Sequence, residues 1–334
     1  MSALIEVAGT RLRSPRFWQE NGTLAVLLLF VVFATVVSEG VFIRPSNLIT
    51  ILYQASIVGV LVLGQSLVVI AGGLDLSIVA VLILSATVMG GAGSEQQSMM
   101  MLGGLPYIGL WPAVFAGFLT AAFFGLINGL MVTALRIPAF ISTLATTLLV
   151  GGIILVVTGG SPIYYPDPFF TNFGNAKLFD LPAPVYVFFG LAAVVWWLLN
   201  HTSFGRKLYA VGGSERASHY SGLSVFGMRL AVFVLCGLCA GLAGFLFLSR
   251  TGYISYASGA DLLMTTIASL VVGGISLAGG VGGVKHAVSG VLLLAALSNF
   301  MNIMLISPHI QDAVNGFVIL IAVSTYSYIN SEKA

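Results

Sequence analysis

The sequence is short of charge. Lys, Arg, Asp and Glu make up 7% of its 334 residues, against about a quarter in soluble domains. That scarcity excludes a soluble globular chain, and no polar stretch is long enough to fold as a separate soluble domain. Cysteine is nearly absent, with only Cys236 and Cys239, so no disulfide framework is needed. Their C-x-x-C spacing lies inside an apolar run, where small-residue packing explains it without redox chemistry, which needs an accessible, electropositive setting. The four histidines, His201, His219, His286 and His309, are scattered, and no metal site follows from their spacing. No G-x-x-x-x-G-K-[ST] loop occurs, and Lys285, just after the second glycine cluster, is not followed by Ser or Thr. No catalytic constellation appears and no cofactor is expected. A net charge of +2 is too small to point to nucleic acid.

What the chain has instead is apolar length. Hydrophobic residues are 58% of it and glycine occurs 40 times; the mean hydropathy is +1.04. A membrane-spanning helix needs about 20 apolar residues. Such runs fall at 23–41, 48–71, 75–92, 110–134, 139–158, 184–200, 228–248, 260–280, 285–304 and 309–329. The expected fold is an all-α polytopic membrane protein of about ten spans, forming one transmembrane domain over residues 1–334. Arg11, Arg13 and Arg16 precede the first run, which continues to about Val41 without an A-x-A cleavage site, so it reads as a retained span. With both termini inside, ten of the 13 Lys and Arg residues fall on the inner side and only Arg44, Lys177 and Arg250 outside, as the positive-inside rule requires.

The densest charge runs from His201 to Arg229, around a loop at about 201–228, with Arg206, Lys207, Glu215, Arg216 and Arg229. Such a segment between apolar runs belongs in water, and its positive excess points to the cytoplasm. Gly212-Gly213 should stop one structured piece. Ser214 can cap a short helix with Glu215 and Arg216 in its first turn, Gly222 should end it, and Ser224 can cap the next. This reads as a short cytoplasmic helix held between spans and offered to another protein.

Gly72-Gly73-Leu74-Asp75-Leu76-Ser77 breaks the second apolar run from the third. It reads as a discontinuous helix whose polar turn lines a path, or as a tight cytoplasmic turn in which Asp75 caps the following helix. Gly273 to Gly283 reads as close packing and a flexible helix end. Gly125-x-x-x-Gly129, Gly237-x-x-x-Gly241 and Gly279-x-x-x-Gly283 have the spacing that lets helices approach. Gln54, Gln65, Asn128, Thr143, Thr146, Thr147, Asn299, Asn302 and Asn315 lie at membrane depth, where they must face other helices or a wet cavity. Between spans, Ala92 to Gly109 has no Lys or Arg, and Gly159 to Pro182 is rich in Pro and aromatics. The second loop suits either a rigid partner surface or a fold-back onto its own helix ends.

Gly72-Gly73-Leu74-Asp75-Leu76-Ser77, Arg136-Ile137-Pro138-Ala139-Phe140-Ile141-x-Thr143-Leu144, Phe204-Gly205-Arg206 with Ala210-Val211-Gly212-Gly213, and Ser276-Leu277-Ala278-Gly279-Gly280-Val281-Gly282 are a recognisable set. From about Asn47 to Tyr326 the chain resembles the permease subunits of bacterial ABC importers for ribose and other monosaccharides, in the group that includes branched-chain amino-acid permeases. The resemblance implies about ten helices, a permease dimer, two cytoplasmic ATPase subunits, a periplasmic sugar-binding protein and a place among the lipids of the inner membrane. It implies that Ser214 to Gly222, with Glu215, Arg216, Ala217 and Ser218, is the helix that docks in the ATPase. Three polar groups are then candidates for a path taken by a neutral, polyhydroxylated substrate: Gln65 with Asp75 and Ser77; Asn128 with Thr143, Thr146 and Thr147; and Asn299 with Asn302. Amides and hydroxyls offer donors and acceptors together, as sugar hydroxyls do. Branched-chain amino acids or nucleosides are the competing substrates. An ion-coupled transporter would need ionisable groups at depth that the sequence does not supply.

Overall fold

A computed structural model describes residues 15–100, 105–164 and 167–331. Its helices are α1 Pro15–Val37, α2 Pro45–Ile70, α3 Ile78–Ala92, α4 Glu95–Met100, α5 Leu110–Thr133, α6 Ala139–Thr158, α7 Pro168–Asn175, α8 Ala183–His201, α9 Ser203–Gly213, α10 Glu215–Tyr220, α11 Val225–Thr251, α12 Ala260–Gly273, α13 Val284–Ile303 and α14 Pro308–Ser331. Four two-residue strands complete it: β1 Ile163–Tyr164, β2 Lys177–Leu178, β3 Leu181–Pro182 and β4 Tyr253–Ile254. Each of the ten apolar runs contains a helix, and seven helices among the described residues are long and apolar enough to cross a membrane. Arg11, Arg13 and Lys333, which enter the charge count, lie outside the described residues.

Several boundaries differ from expectation for local reasons. α1 starts at Pro15 and stops at Val37, because Glu39 and Gly40 turn the chain with positive φ. α12 ends at Gly273 rather than 280: Gly274, at φ 91, leaves the helix in the left-handed region. Gly279 and Gly283 therefore lie in a loop, not on a helix interface. α3 begins at Ile78, not 75, and its 15 residues rise only about 22 Å, short of a hydrocarbon core of about 30 Å. Fourteen of them are buried, so α3 meets protein on every side.

α11 is the central helix, packed along α5 and against α2 and α3. Small residues set that approach. A side-chain carbon at Gly125 would lie 2.5 Å from the Phe233 carbonyl oxygen, and one at Gly237 would overlap the Ala121 carbonyl. Two of the small-residue spacings thus face each other across α5 and α11, where close backbones gain dispersion contact. A smaller aromatic cluster joins α1 to α13, with Phe30 and Phe300 rings edge-on at 5.7 Å.

The 159–182 segment both packs across the bundle end and folds back onto the start of α8, where the Ala183 amide donates to the Ala176 carbonyl at 2.8 Å. β1 pairs antiparallel with β4, and β2 with β3. Asp167 caps α7 by accepting from the Phe169 amide at 2.8 Å. α7 then buries Phe170 against Phe245 of α11, with ring centroids 5.4 Å apart, and Tyr53 of α2 donates to the Gly174 carbonyl at 2.9 Å.

Candidate functional site

At the end of the bundle that carries the 201–228 segment, the structured piece expected before Gly212-Gly213 is a helix, α9, and the short helix after Ser214 is α10. α9 is amphipathic: Gly205, Leu208 and Val211 are buried, while Arg206, Lys207 and Ala210 face out. Thr202 caps it from the Phe204 amide at 3.2 Å. Ser214 ends α9 and caps α10, accepting from the Ala217 amide at 3.2 Å. Gly222 follows with φ 76, and Ser224 caps α11 through the Gly227 amide at 3.1 Å. α10 buries only Ser218; Glu215, Arg216, Ala217, His219 and Tyr220 are exposed. Glu215 is tied to the N-terminal part of α11 by an ion pair to Arg229 at 2.9 Å, worth under about 1 kcal/mol at this exposure.

The glycine motifs meet here, backbone against backbone. The Gly280 amide donates to the Ile70 carbonyl, the last residue of α2, at 2.9 Å. Gly212 of α9 lies against the same carbonyl, where any side-chain carbon would overlap it. A carbon at Gly279 would come within 2.8 Å of the Gly212 carbonyl oxygen and 3.0 Å of Gly72. Gly279 and Gly280 also hold φ values of 93 and 71, which side chains resist. Tyr209 completes the joint by donating to the Gly282 carbonyl at 2.9 Å. Burial pushes its phenol above the ordinary value, which keeps it a neutral donor. α9, the end of α2 and the 274–283 loop are thus one rigid junction.

Beyond the junction the 71–77 turn enters the protein. Asp75 is 2% exposed, so it is no solvent-facing cap. Its Oδ1 accepts from the Ser77 amide at 2.9 Å and the Ser77 hydroxyl at 2.6 Å, an Asx turn that leaves Ser77 as the residue preceding α3. Asn128 of α5 donates to Ser77 Oγ at 2.7 Å, and Thr146 of α6 donates to Asn128 Oδ1 at 2.6 Å. Thr143 bonds the Ala139 carbonyl at 2.8 Å and reaches the Leu74 carbonyl at 3.3 Å, and Thr147 bonds the Thr143 carbonyl. On the other side the Cys236 thiol faces Asp75 and lies 3.7 Å from Gln65 Oε1. Gln65 Nε2 is buried without a partner among the described residues.

Two of the three polar groups therefore merge into one cluster linking α2, α5, α6 and α11, in which Asp75, Ser77, Asn128 and Thr146 bond one another while Thr143 and Thr147 bond backbone carbonyls. The third divides. Asn299 exchanges paired bonds with Asn47 at 2.9 and 3.0 Å, while Asn302 accepts from Gln311 at 2.8 Å.

Sequence reasoning missed the space beside this network. A cavity of about 700 Å³ lies between the 71–73 turn, the α5–α6 turn, α10 and the start of α11. Arg136, Glu215, His219 and Arg229 line it; the sequence marked several of these residues singly but gave no sign that they surround one space. A second cavity, of about 220 Å³, brings together Asp261, Thr265, Asp312 and Asn315.

Long apolar helices, a broken helix around a buried polar turn and an exposed charged hairpin bolted to that turn define a polytopic membrane transport subunit. The profile of the family described as branched-chain amino acid transport system / permease component matches residues 47–323, and the chain belongs to that family. It is 33% identical to the ribose import permease protein RbsC of Escherichia coli (strain K12) over 95% of this chain and 96% of that protein. It is 32% identical to the D-allose transport system permease protein AlsC of the same strain, over 92% and 91% of the two chains. The L-arabinose transport system permease protein AraH of that strain is 32% identical over 95% and 93%. No solved structure matches the chain. The protein is a multi-pass permease of the inner membrane, of the ABC type.

Proposed function

We propose that this chain is the membrane subunit of an ATP-driven importer that passes a monosaccharide from a periplasmic binding protein to the cytoplasm by alternating access. The carrying observation is its match, over nearly the whole length of both partners, to permeases named for ribose, allose and arabinose. Two such subunits, ten spans each with both termini inside, sit on two cytoplasmic ATPases. The permease itself does no covalent chemistry. The exposed face of α10, with Ser214, Glu215, Arg216, Ala217 and Gly222 on or beside it, seats in the ATPase, and Ser218 anchors it. The junction passes ATPase closure to the α2–α3 break, and the network of Asp75, Ser77, Asn128 and Thr146 holds that break against α5 and α6 as the path opens and closes. Gln65, Thr143, Thr147, Asn299 and Asn302 remain the further candidates for the path.

The family description favours one competing substrate class, branched-chain amino acids. Such a zwitterion needs partners for carboxylate and ammonium together, and Asp75 is the one charged side chain among the buried described residues.

Glu215→Ala with Arg216→Ala should lower co-purification of the ATPase by about fivefold or more, the factor 1 kcal/mol at an interface commands, while membrane insertion is unchanged. Because the ATPase is cytoplasmic, the same pull-down tests orientation. Undiminished co-purification would remove α10 from the interface.

A further inference from the structure

We propose that the 700 Å³ cavity behind α10 holds the phosphate headgroup of an anionic phospholipid from the adjoining leaflet. Its size lies in the range of about 300–1,000 Å³ that encloses small ligands. Its charge is unbalanced. Arg229 is partly neutralised by Glu215 at 2.9 Å, whereas Arg136 makes no ion pair among the described residues. The chain turns at Arg136 with φ 56, an unusual backbone for a non-glycine residue. That turn is fixed by the Ile137 amide bonding the Met131 carbonyl at 3.1 Å. His219 adds an imidazole to the same wall.

Apart from Thr133, the side chains of the remaining lining are apolar, including Val132, Ile137, Phe226 and Phe233. A free phosphate would gain nothing from that wall, but a headgroup with its glycerol and upper acyl carbons would cover it. The rim is apolar and exposed, as a lipid-facing surface would be: Leu135, Phe140 and Ile141 flank Arg136 and the start of α6, each more than half exposed. A basic pocket among helix ends, half apolar and open beside lipid-facing residues, fits an anionic lipid on chemical grounds. A lipid there touches α10 from behind, and its effect on coupling rests on the importer reading; its binding does not.

The test is native mass spectrometry of the full-length permease loaded with phosphatidylglycerol or phosphatidylcholine and then progressively delipidated. Wild type should keep one phosphatidylglycerol per chain under conditions that strip phosphatidylcholine. Arg136→Gln should weaken that retention about fivefold, the factor one arginine near a lipid surface commands. Arg206→Gln, an exposed arginine on α9, should leave it unchanged. Equal retention of the two lipids, full retention in Arg136→Gln, or saturation by glycerol 3-phosphate with no lipid preference would overturn the proposal. Should Arg136→Gln fail to fold, wild type with a headgroup-proximal photoreactive phosphatidylglycerol decides the question. Adducts in peptides spanning 132–139 and 225–233 are expected, and adducts only elsewhere would contradict the site.

Discussion

Gly212→Ala is expected to cut ATP-dependent uptake by about tenfold or more while ATP hydrolysis by the assembled complex continues. The added methyl would land on the Ile70 carbonyl oxygen and within 2.7 Å of the Gly280 amide nitrogen. Both are backbone atoms, and neither can rotate away. α9 must then part from the end of α2, at an overpacking cost of about 1–3 kcal/mol, and the Gly280–Ile70 hydrogen bond is spread open. Since α10 follows α9 through Ser214 alone, its motion would no longer reach the α2–α3 break. Gly213→Ala is the control. A carbon there meets nothing within 4 Å, so its uptake should match wild type. The assay compares uptake and hydrolysis in the same proteoliposomes. Wild-type uptake in Gly212→Ala would take the junction out of the coupling route.

Asn128→Leu should produce the largest loss of stability in the buried network. It removes the acceptor of the Thr146 hydroxyl and the donor to Ser77 Oγ in one step. Asn128, Ser77 and Thr146 are all buried, and each polar group orphaned out of water costs about 1–3 kcal/mol. A lowered unfolding temperature in detergent is the expected outcome. Adding Thr146→Val should recover part of it, because the stranded hydroxyl is then gone. That rescue separates the two roles polar residues at membrane depth can play. A residue that only contacts sugar would lose uptake with its stability intact and gain nothing from Thr146→Val. An unchanged unfolding temperature in Asn128→Leu would contradict the structural role.

The helices themselves were legible because apolar length and punctuation are local signals. Pro45, Pro138 and Pro308 start helices or immediately precede them, and Ser214 and Ser224 cap theirs through bonds three residues long. What local signals cannot carry is which faces meet. Asn128 and Ser77 are 51 residues apart and Asn47 and Asn299 are 252 apart. Spans apolar on all sides give no amphipathic stripe to orient them. Asp75 looked equally suited to a solvent turn, because its burial comes from α5 and α11 covering the turn. The 274–283 loop passed for the end of a span because Ile275, Leu277, Ala278 and Val281 are apolar, while the glycine φ values that break the helix carry no hydropathy. α7 is hidden for the reverse reason: its proline and polar residues, in a proline-rich loop, read as surface, yet Phe170 is held by Phe245 of α11, 75 residues further on.

ATP-dependent uptake into proteoliposomes holding the permease, its ATPase and its binding protein tests the central claim most directly. Labelled ribose, allose, arabinose and leucine are offered in parallel. At least one monosaccharide should accumulate with ATP and not without it, and leucine should stay at background. Accumulation of leucine with no monosaccharide would contradict the assignment.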